Sequence, residues 1–132
     1  MTNWFKKWFE KPLHPIDFSC LKTDMHSHLI PSIDDGAASL EESIKMIKAL
    51  NDLGFQKIIT TPHVMSDFYK NTNETILCGL ELVRDELQKQ KISVQLEAAA
   101  EYYLDYEFEE KIESGNLLTF SDNLSLIHIS EP

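Results

Sequence analysis

The stretch T-D-M-H-S-H-L-I-P-S-I-D-D-G, residues 23–36, decides both the fold and the chemistry expected of this chain. It places His26 and His28 one residue apart near the end of a short apolar-flanked run. Alternate side chains of a strand share a face, so the two imidazoles are expected to point the same way, with Asp24 behind them. Neutral imidazole nitrogens ligate borderline divalent cations, and the pair therefore predicts a shared metal ion.

An acidic turn follows this run. Pro31 ends the strand pattern, and Asp34-Asp35-Gly36 is typical of a tight turn that carries two carboxylates. Carboxylate oxygen beside imidazole nitrogen suits manganese, iron or zinc. The H-x-H pair alone is not specific, because two surface histidines beside an acidic turn would give the same pattern.

Length and composition narrow the class of protein. The chain has 132 residues, enough for one domain with a modest core, and its net charge of −10 argues against a nucleic-acid partner. Two cysteines, Cys20 and Cys78, do not make a disulfide framework. No apolar run is long enough for stable membrane insertion, and the first residues do not resemble a secretory signal. We therefore expect a cytoplasmic protein.

Hydrophobic periodicity predicts the element order β-α-β-α-β-α-β. Ser39 and Glu42 match a capping box that opens the first helix, and Gly54 is predicted to end it. Strands that alternate with helices pair in parallel and gather their reacting groups at their C-terminal ends. Strands are predicted over residues 21–28, 55–61, 92–100, 117–120 and 124–129, and the later helices over 71–89 and 105–115.

Metal-ligand residue types follow three successive predicted strands. His26 and His28 end the first strand, His63 follows the second and Glu101 follows the third. Parallel strands present their C-terminal ends to one rim, so these side chains are expected to converge. This pattern favours a metal site far more than the H-x-H pair alone.

The two ends of the chain depart from this pattern. Residues 1–19 are predicted to form an amphipathic arm, which we expect to pack on its own domain rather than lie on a membrane surface. Residues 20–123 form the predicted partial domain. The pattern is lost in residues 124–132, which end S-L-I-H-I-S-E-P and which we interpret as possible non-native sequence, such as translated adapter. His128 is therefore not assigned as a ligand.

A C-x5-R pattern and a cluster of three tyrosines are weaker indications of function than the histidines and carboxylates. Cys78 and Arg84 fit the C-x5-R pattern of cysteine-dependent phosphatases, but the residues between them lie in a predicted helix and cannot cup a phosphate. Tyr102, Tyr103 and Tyr106 either stack on an aromatic substrate or pack the rim, and the sequence leaves both interpretations open.

The combined motifs resemble a known superfamily. T-D-M-H-S-H-L-I-P-S-I-D-D-G-A, E-E-S-I-K-M, I-I-T-T-P-H and E-A-A-A-E-Y-Y are similar to the polymerase-and-histidinol-phosphatase (PHP) superfamily. More closely, they resemble bacterial manganese-dependent protein-tyrosine phosphatases encoded with capsular and exopolysaccharide genes. The resemblance covers residues 21–123. It implies an α/β fold in which this chain is a parallel β/α half-barrel, the first part of a distorted seven-stranded barrel.

The same resemblance implies a cofactor and its ligands. Two or three divalent ions are expected, with manganese favoured and iron or zinc as alternatives. Asp34 would support the turn rather than ligate. His26 and His28 would bind one metal, Glu101 would bridge metals, and Asp35 and His63 would bind a further metal.

The resemblance also implies an activity. The expected substrate is phosphotyrosine on an autophosphorylating tyrosine kinase that governs polysaccharide export, attacked by a water that divalent ions activate. The alternatives are a histidinol-phosphatase-like enzyme for small phosphomonoesters and a non-catalytic metal-binding module that docks a kinase. A complete barrel needs about 240 residues. We therefore expect the isolated 132-residue chain to be poorly soluble or oligomeric, and inactive.

Overall fold

The computed structural model describes residues 20–120 and the backbone of residues 127–129. The predicted N-terminal arm, residues 1–19, and most of the predicted tail lie outside the described residues. Within the described part, the elements are β1 (Thr23–Asp24), α1 (Leu40–Asp52), β2 (Lys57–Thr60), β3 (His63–Val64), α2 (Asn73–Lys89), β4 (Gln95–Ala98), β5 (Glu101–Tyr103), α3 (Phe108–Glu113) and β6 (Ile127–Ile129).

The strands form two small parallel sheets, in the orders β1-β2-β4 and β3-β5-β6. Together with the flanking helices they make the parallel α/β half-barrel that the sequence predicts. The predicted second and third strands contain β2 and β4, and each is followed after two residues by a short strand of the other sheet, β3 or β5, that the sequence did not predict. Hydrogen bonds continue across both breaks, because Ala99 N donates to Thr60 O and Glu101 N donates to Pro62 O.

The first strand is much shorter than predicted. Its ladder ends at Asp24, and the backbone beyond is held by side-chain hydroxyls: Thr60 Oγ1 accepts from Leu29 N at 2.9 Å and donates to Ser27 O at 2.9 Å. Thr61 N also donates to Ser27 O. Irregular backbone therefore carries the two histidines, although it remains fixed against β2.

The predicted strand at residues 117–120 is wrong, whereas part of the run at 124–129 forms β6. Leu118 O accepts from Ala100 N, and Leu118 N donates to the hydroxyl of Tyr102 at 2.7 Å. A side-chain oxygen therefore takes the hydrogen bond that a neighbouring strand would otherwise supply, and the segment does not join a ladder.

The helices begin and end with local signals. Ser39 caps α1 by accepting from Glu42 N, but the Glu42 carboxylate accepts from Ala38 N, so the predicted capping box is modified. Gly54 has φ 102° and ends α1 as predicted. Phe55 N donates back to Leu50 O, which completes a Schellman motif.

One hydrophobic core joins the helices to the sheets. Each long helix buries one face, and Gly79 of α2 lies against Ile30: a Cβ atom at position 79 would stand 2.3 Å from Ile30 Cγ2. This close approach explains a glycine inside a helix, where glycine otherwise costs about 1 kcal/mol relative to alanine. The core includes Leu29, Ile30, Ile44, Ile47, Ile58, Ile76, Leu80, Val83, Leu87 and Leu96.

None of the helices in the described ranges has the length and apolarity needed to span a membrane.

Candidate metal centre

The residues that sequence analysis singled out lie together at one end of the sheets. β3 and β5 pair with His63 opposite Glu101, which brings these two positions side by side. The backbone after β1 is tied to the end of β2 and adds two more imidazoles. Glu101 Oε2 lies 3.1 Å from His28 Nε2, 3.3 Å from His63 Nδ1 and 3.8 Å from His26 Nε2.

Glu101 is buried without a hydrogen-bond donor. Its side chain is 1% exposed, and neither carboxylate oxygen accepts a hydrogen bond within the part of the chain that the structure describes. A buried ionised carboxylate is costly unless it is paired or binds a metal. The surrounding groups are imidazoles, which bind cations through their ring lone pairs. This arrangement fits a divalent cation.

Asp34 fixes the orientation of the His28 ring. His28 Nδ1 lies 2.8 Å from Asp34 Oδ2, and a carboxylate can only accept, so this nitrogen carries the proton. In the neutral ring, Nε2 then presents its lone pair to Glu101. Two acceptors 3.1 Å apart repel each other unless a cation lies near both. A carboxylate behind a ligating histidine is the usual support for a metal ligand.

The pKa values of this pair reflect the same contact. The hydrogen bond to Asp34 raises the pKa of His28, although burial works in the opposite direction. Burial alone would raise the pKa of Asp34. Hydrogen bonds from His28, Gly36 N and His63 N outweigh that effect and hold the pKa below its ordinary value. Asp34 therefore remains a carboxylate that orients two neighbouring segments.

A second group of donors adjoins the first. His63 Nε2 lies 3.4 Å from Asp35 Oδ1, while His63 Nδ1 faces Glu101. His28 Nδ1 is 3.8 Å from the same Asp35 oxygen. Asp35 is 64% exposed, so a ligand can approach from solvent. Among the described residues, two groups of three have ligand atoms within 4.8 Å of one another: His26, His28 and Glu101, and His28, Asp35 and His63.

The acidic turn packs directly on the histidine segment. A Cβ atom at Gly36 would stand 2.3 Å from His28 O, so only glycine fits at this position. Ala37 N donates to His28 O and Ser32 N donates to Ala37 O, which close the loop. The D-D-G sequence thus places Asp34 and Asp35 beside His28.

Two residues beside the site were not predicted from the sequence. The ring of Tyr69 stacks on His63, with centroids 5.4 Å apart and an interplanar angle of 12°. The amide of Asn71 donates to Ile33 O and to His63 O. Sequence analysis assigned Asn71 only to a helix start, and no spacing signal in the chain would have linked it to the site.

The remaining sequence candidates lie away from the cluster. Cys78 is exposed on α2, and Arg84 donates twice to Leu96 O, so these two residues do not form a phosphate loop. Tyr102 is buried: its hydroxyl accepts from Leu118 N, and burial raises its pKa. Tyr102 thus packs the fold, whereas Tyr106 is 75% exposed.

Comparisons with known proteins identify relatives of this chain. The tyrosine-protein phosphatase YwqE of Bacillus subtilis is 30% identical over 99 residues, which cover 75% of this chain and 39% of YwqE. The tyrosine-protein phosphatase CpsB of Streptococcus agalactiae is 27% identical over 108 residues, which cover 81% of this chain and 44% of CpsB. The chain thus spans less than half the length of these curated relatives.

A solved structure has the same fold. It superposes with a TM-score of 0.73 and 28% identity over 80% of this chain and 43% of its own. It comes from work on YwqE of Bacillus subtilis and CpsB of Streptococcus pneumoniae, described there as unique metal-dependent tyrosine phosphatases. The family model for capsular polysaccharide synthesis proteins of the CpsB/CapC type matches residues 22–128. With the histidine–carboxylate cluster and the half-barrel that carries it, this match shows that the chain belongs to the CpsB/CapC family.

Proposed function

We propose that this chain carries the metal-ligating part of a metal-dependent protein-tyrosine phosphatase, a phosphoric monoester hydrolase. The observation that carries the proposal is Glu101, a buried carboxylate without a hydrogen-bond donor among the described residues and within 3.8 Å of three imidazoles. Relatives named tyrosine-protein phosphatases support the reaction class.

The proposed ligands form two adjacent sets. Their mixture of nitrogen and oxygen donors suits manganese, with iron or zinc as alternatives. Glu101 lies within 3.8 Å of three imidazoles, so its carboxylate would bridge the cations that they bind. The proposed ligands are His26, His28, Asp35, His63 and Glu101.

The chemistry needs no covalent nucleophile from the protein. When bound, divalent cations lower the pKa of a coordinated water toward neutrality and offset the charge of phosphate oxygens. Asp34 keeps the His28 ring in one tautomer by accepting from Nδ1. The exposed Asp35 side chain leaves the site open to a phosphate ester on the solvent side.

The proposed substrate is phosphotyrosine on an autophosphorylating tyrosine kinase that governs polysaccharide export, and the proposed location of this protein is the cytoplasm. The support for this substrate is the match to a capsular polysaccharide synthesis family together with the phosphatase names of the relatives.

A metal-binding measurement tests the central observation. Purified chain is titrated with Mn²⁺ while electron paramagnetic resonance reports the free ion. We expect Glu101→Gln to abolish tight binding, because the substitution removes the charge that the imidazoles surround. Glu97→Gln is the matched control: Glu97 is a partly exposed carboxylate paired with Lys57. Equal Mn²⁺ affinity in Glu101→Gln and the unsubstituted chain would contradict the proposal.

Activity separates the rival functions. A complete barrel that includes residues 20–123 of this chain is assayed with a phosphotyrosyl peptide and with histidinol phosphate. We expect faster hydrolysis of the peptide, and loss of that hydrolysis in His63→Ala. Preference for histidinol phosphate would indicate the small-phosphomonoester alternative. Metal binding without hydrolysis of either ester would indicate the kinase-docking alternative.

A further inference from the structure

The side chain of Asn71 joins two parts of the proposed metal centre from outside it. Asn71 Nδ2 donates to Ile33 O at 2.9 Å and to His63 O at 2.8 Å. The first carbonyl directly precedes the Asp34-Asp35 turn, and the second belongs to a proposed ligand. Both acceptors are backbone carbonyl oxygens, so Asn71 affects the position of the proposed ligands and does not bind the metal itself.

The chemistry of the contact requires a primary amide. Both partners are carbonyls, which only accept, so the amide nitrogen must face them and must supply both of its hydrogens. Aspartate has no hydrogen to give at neutral pH, and serine has one. Asparagine therefore satisfies both carbonyls with a single side chain of this length.

A rigid element holds this amide in place. Asn71 directly precedes Thr72, the N-cap of α2, where Thr72 and Thr75 exchange side-chain and backbone hydrogen bonds. The 17-residue helix that follows buries four apolar residues in the core. The side chain of Asn71 thus connects the Asp34-Asp35 turn and the His63 segment to a helix that is anchored in the hydrophobic core.

The same two segments are joined a second time inside the site. His63 N donates to Asp34 Oδ2 at 3.0 Å, on the carboxylate that also accepts from His28. The turn is also closed on the histidine segment by Ala37 N, which donates to His28 O, but that bond does not reach His63. The bonds from Asn71 to Ile33 O and His63 O therefore add a second connection between the turn and the His63 segment.

We propose that Asn71 is a positioning residue that holds the Asp35 turn against the His63 strand, at a spacing that lets both side chains ligate one cation. The proposal rests on the proposed function, since it assumes that these two residues are ligands. Residues that orient metal ligands typically change metal affinity by about 10–100-fold when they are removed.

The test measures Mn²⁺ affinity of the 132-residue chain, fused in every arm to the same solubility partner. We expect Asn71→Ser to weaken affinity about 10-fold and Asn71→Asp to weaken it further. Asn71→Ser retains one donor and carries the test if Asn71→Asp unfolds. Asn116→Ala is the matched control: it removes an exposed hydrogen bond with Asn73, and we expect unchanged affinity.

A double-mutant cycle separates positioning from general destabilisation. In a His63→Ala background, Asn71→Ser should cause no further loss of affinity, because one of the two ligands that it aligns is already gone. The same fold loss in both backgrounds, or wild-type affinity in both Asn71 variants, overturns the inference. Failure of the unsubstituted chain to bind Mn²⁺ overturns the proposed function itself, and with it this inference.

Discussion

The two parallel sheets of this half-barrel differ in what they bury. In the sheet formed by β1, β2 and β4, Ile58 and Leu96 pack in the apolar core and Ile59 is also buried. Asp24 of β1 has one buried carboxylate oxygen without a hydrogen-bond partner among the described residues. In the neighbouring sheet, β5 begins with Glu101, which is as buried as the isoleucines but carries a carboxylate without a hydrogen-bond donor among the described residues. Both sheets contribute to the core, since Val64 and Tyr102 of the second sheet also pack in it, but only Glu101 is a fully buried carboxylate with both oxygens lacking a hydrogen-bond partner among the described residues.

Truncation of Ile58, in the sheet formed by β1, β2 and β4, should have the largest effect on stability. Ile58 is fully buried in the core, and Ile58→Ala is expected to lower the free energy of unfolding by about 2–5 kcal/mol. Urea unfolding measures the change. Because Ile58 is a core residue and not a proposed ligand, Mn²⁺ affinity of the folded fraction should be unchanged. A large change in Mn²⁺ affinity would show that Ile58 also helps to hold the metal site in place.

Neutralising Glu101 should increase the free energy of unfolding, whereas truncating Ile58 should decrease it. In the presence of a chelator, Glu101→Gln is expected to raise the free energy of unfolding by about 1–3 kcal/mol, since it removes an uncompensated buried charge. Urea unfolding with and without Mn²⁺ checks both parts: the variant should be more stable without metal and should gain nothing when metal is added. A variant less stable than the unsubstituted chain in chelator would show that the carboxylate is satisfied in some other way.

Gly79 tests how closely α2 approaches the histidine segment. Gly79→Ala should gain helix propensity, yet the new methyl would lie 2.3 Å from Ile30 Cγ2 in a tightly packed region. We expect a net loss of about 1–3 kcal/mol in thermal or urea unfolding. Leu82→Ala, at an exposed position of the same helix, is the control and should cost less. A stabilised Gly79→Ala variant would indicate that α2 can move away from Ile30 at little cost.

Asp105, in the segment between β5 and α3, should make a small, pH-dependent contribution to stability. Burial alone would raise its pKa, but hydrogen bonds from the hydroxyl and amide of Ser66 dominate and lower it. The contact therefore contributes fully to the free energy of unfolding above the pKa of aspartate in the unfolded chain, about 3.9. The contribution is lost as pH falls through the lower pKa that Asp105 has in the folded state. The difference in unfolding free energy between the unsubstituted chain and Asp105→Asn should shrink below about pH 4. A difference that stays constant down to pH 2 would show that the contact does not depend on ionised Asp105.

Much of the fold was predictable because its signals are local. The helical repeat of apolar residues, Gly54 as the end of α1 and the β-branched run of β2 each depend on a few neighbouring residues. Failures occurred where distant groups competed with the backbone ladder. Thr60 replaces ladder bonds beside β1, and the Tyr102 hydroxyl takes the amide of Leu118. Neither competition is visible in a short window of sequence.

The sequence by itself determined which chemistry is available: two alternate histidines, an acidic glycine turn, and a histidine and a glutamate at later strand ends. Strand ends meet at one rim in any parallel arrangement, so their convergence followed from element order alone. Only the tertiary structure decided that Glu101 is buried without a hydrogen-bond donor in the described chain, that Asp34 sets the His28 tautomer, and that Asn71 joins two loops. Asn71 and Ile33 are 38 positions apart, whereas Asp34 and His28 are only 6 apart and meet because the turn between them packs on the histidine segment. Packing rather than local preference therefore sets these contacts.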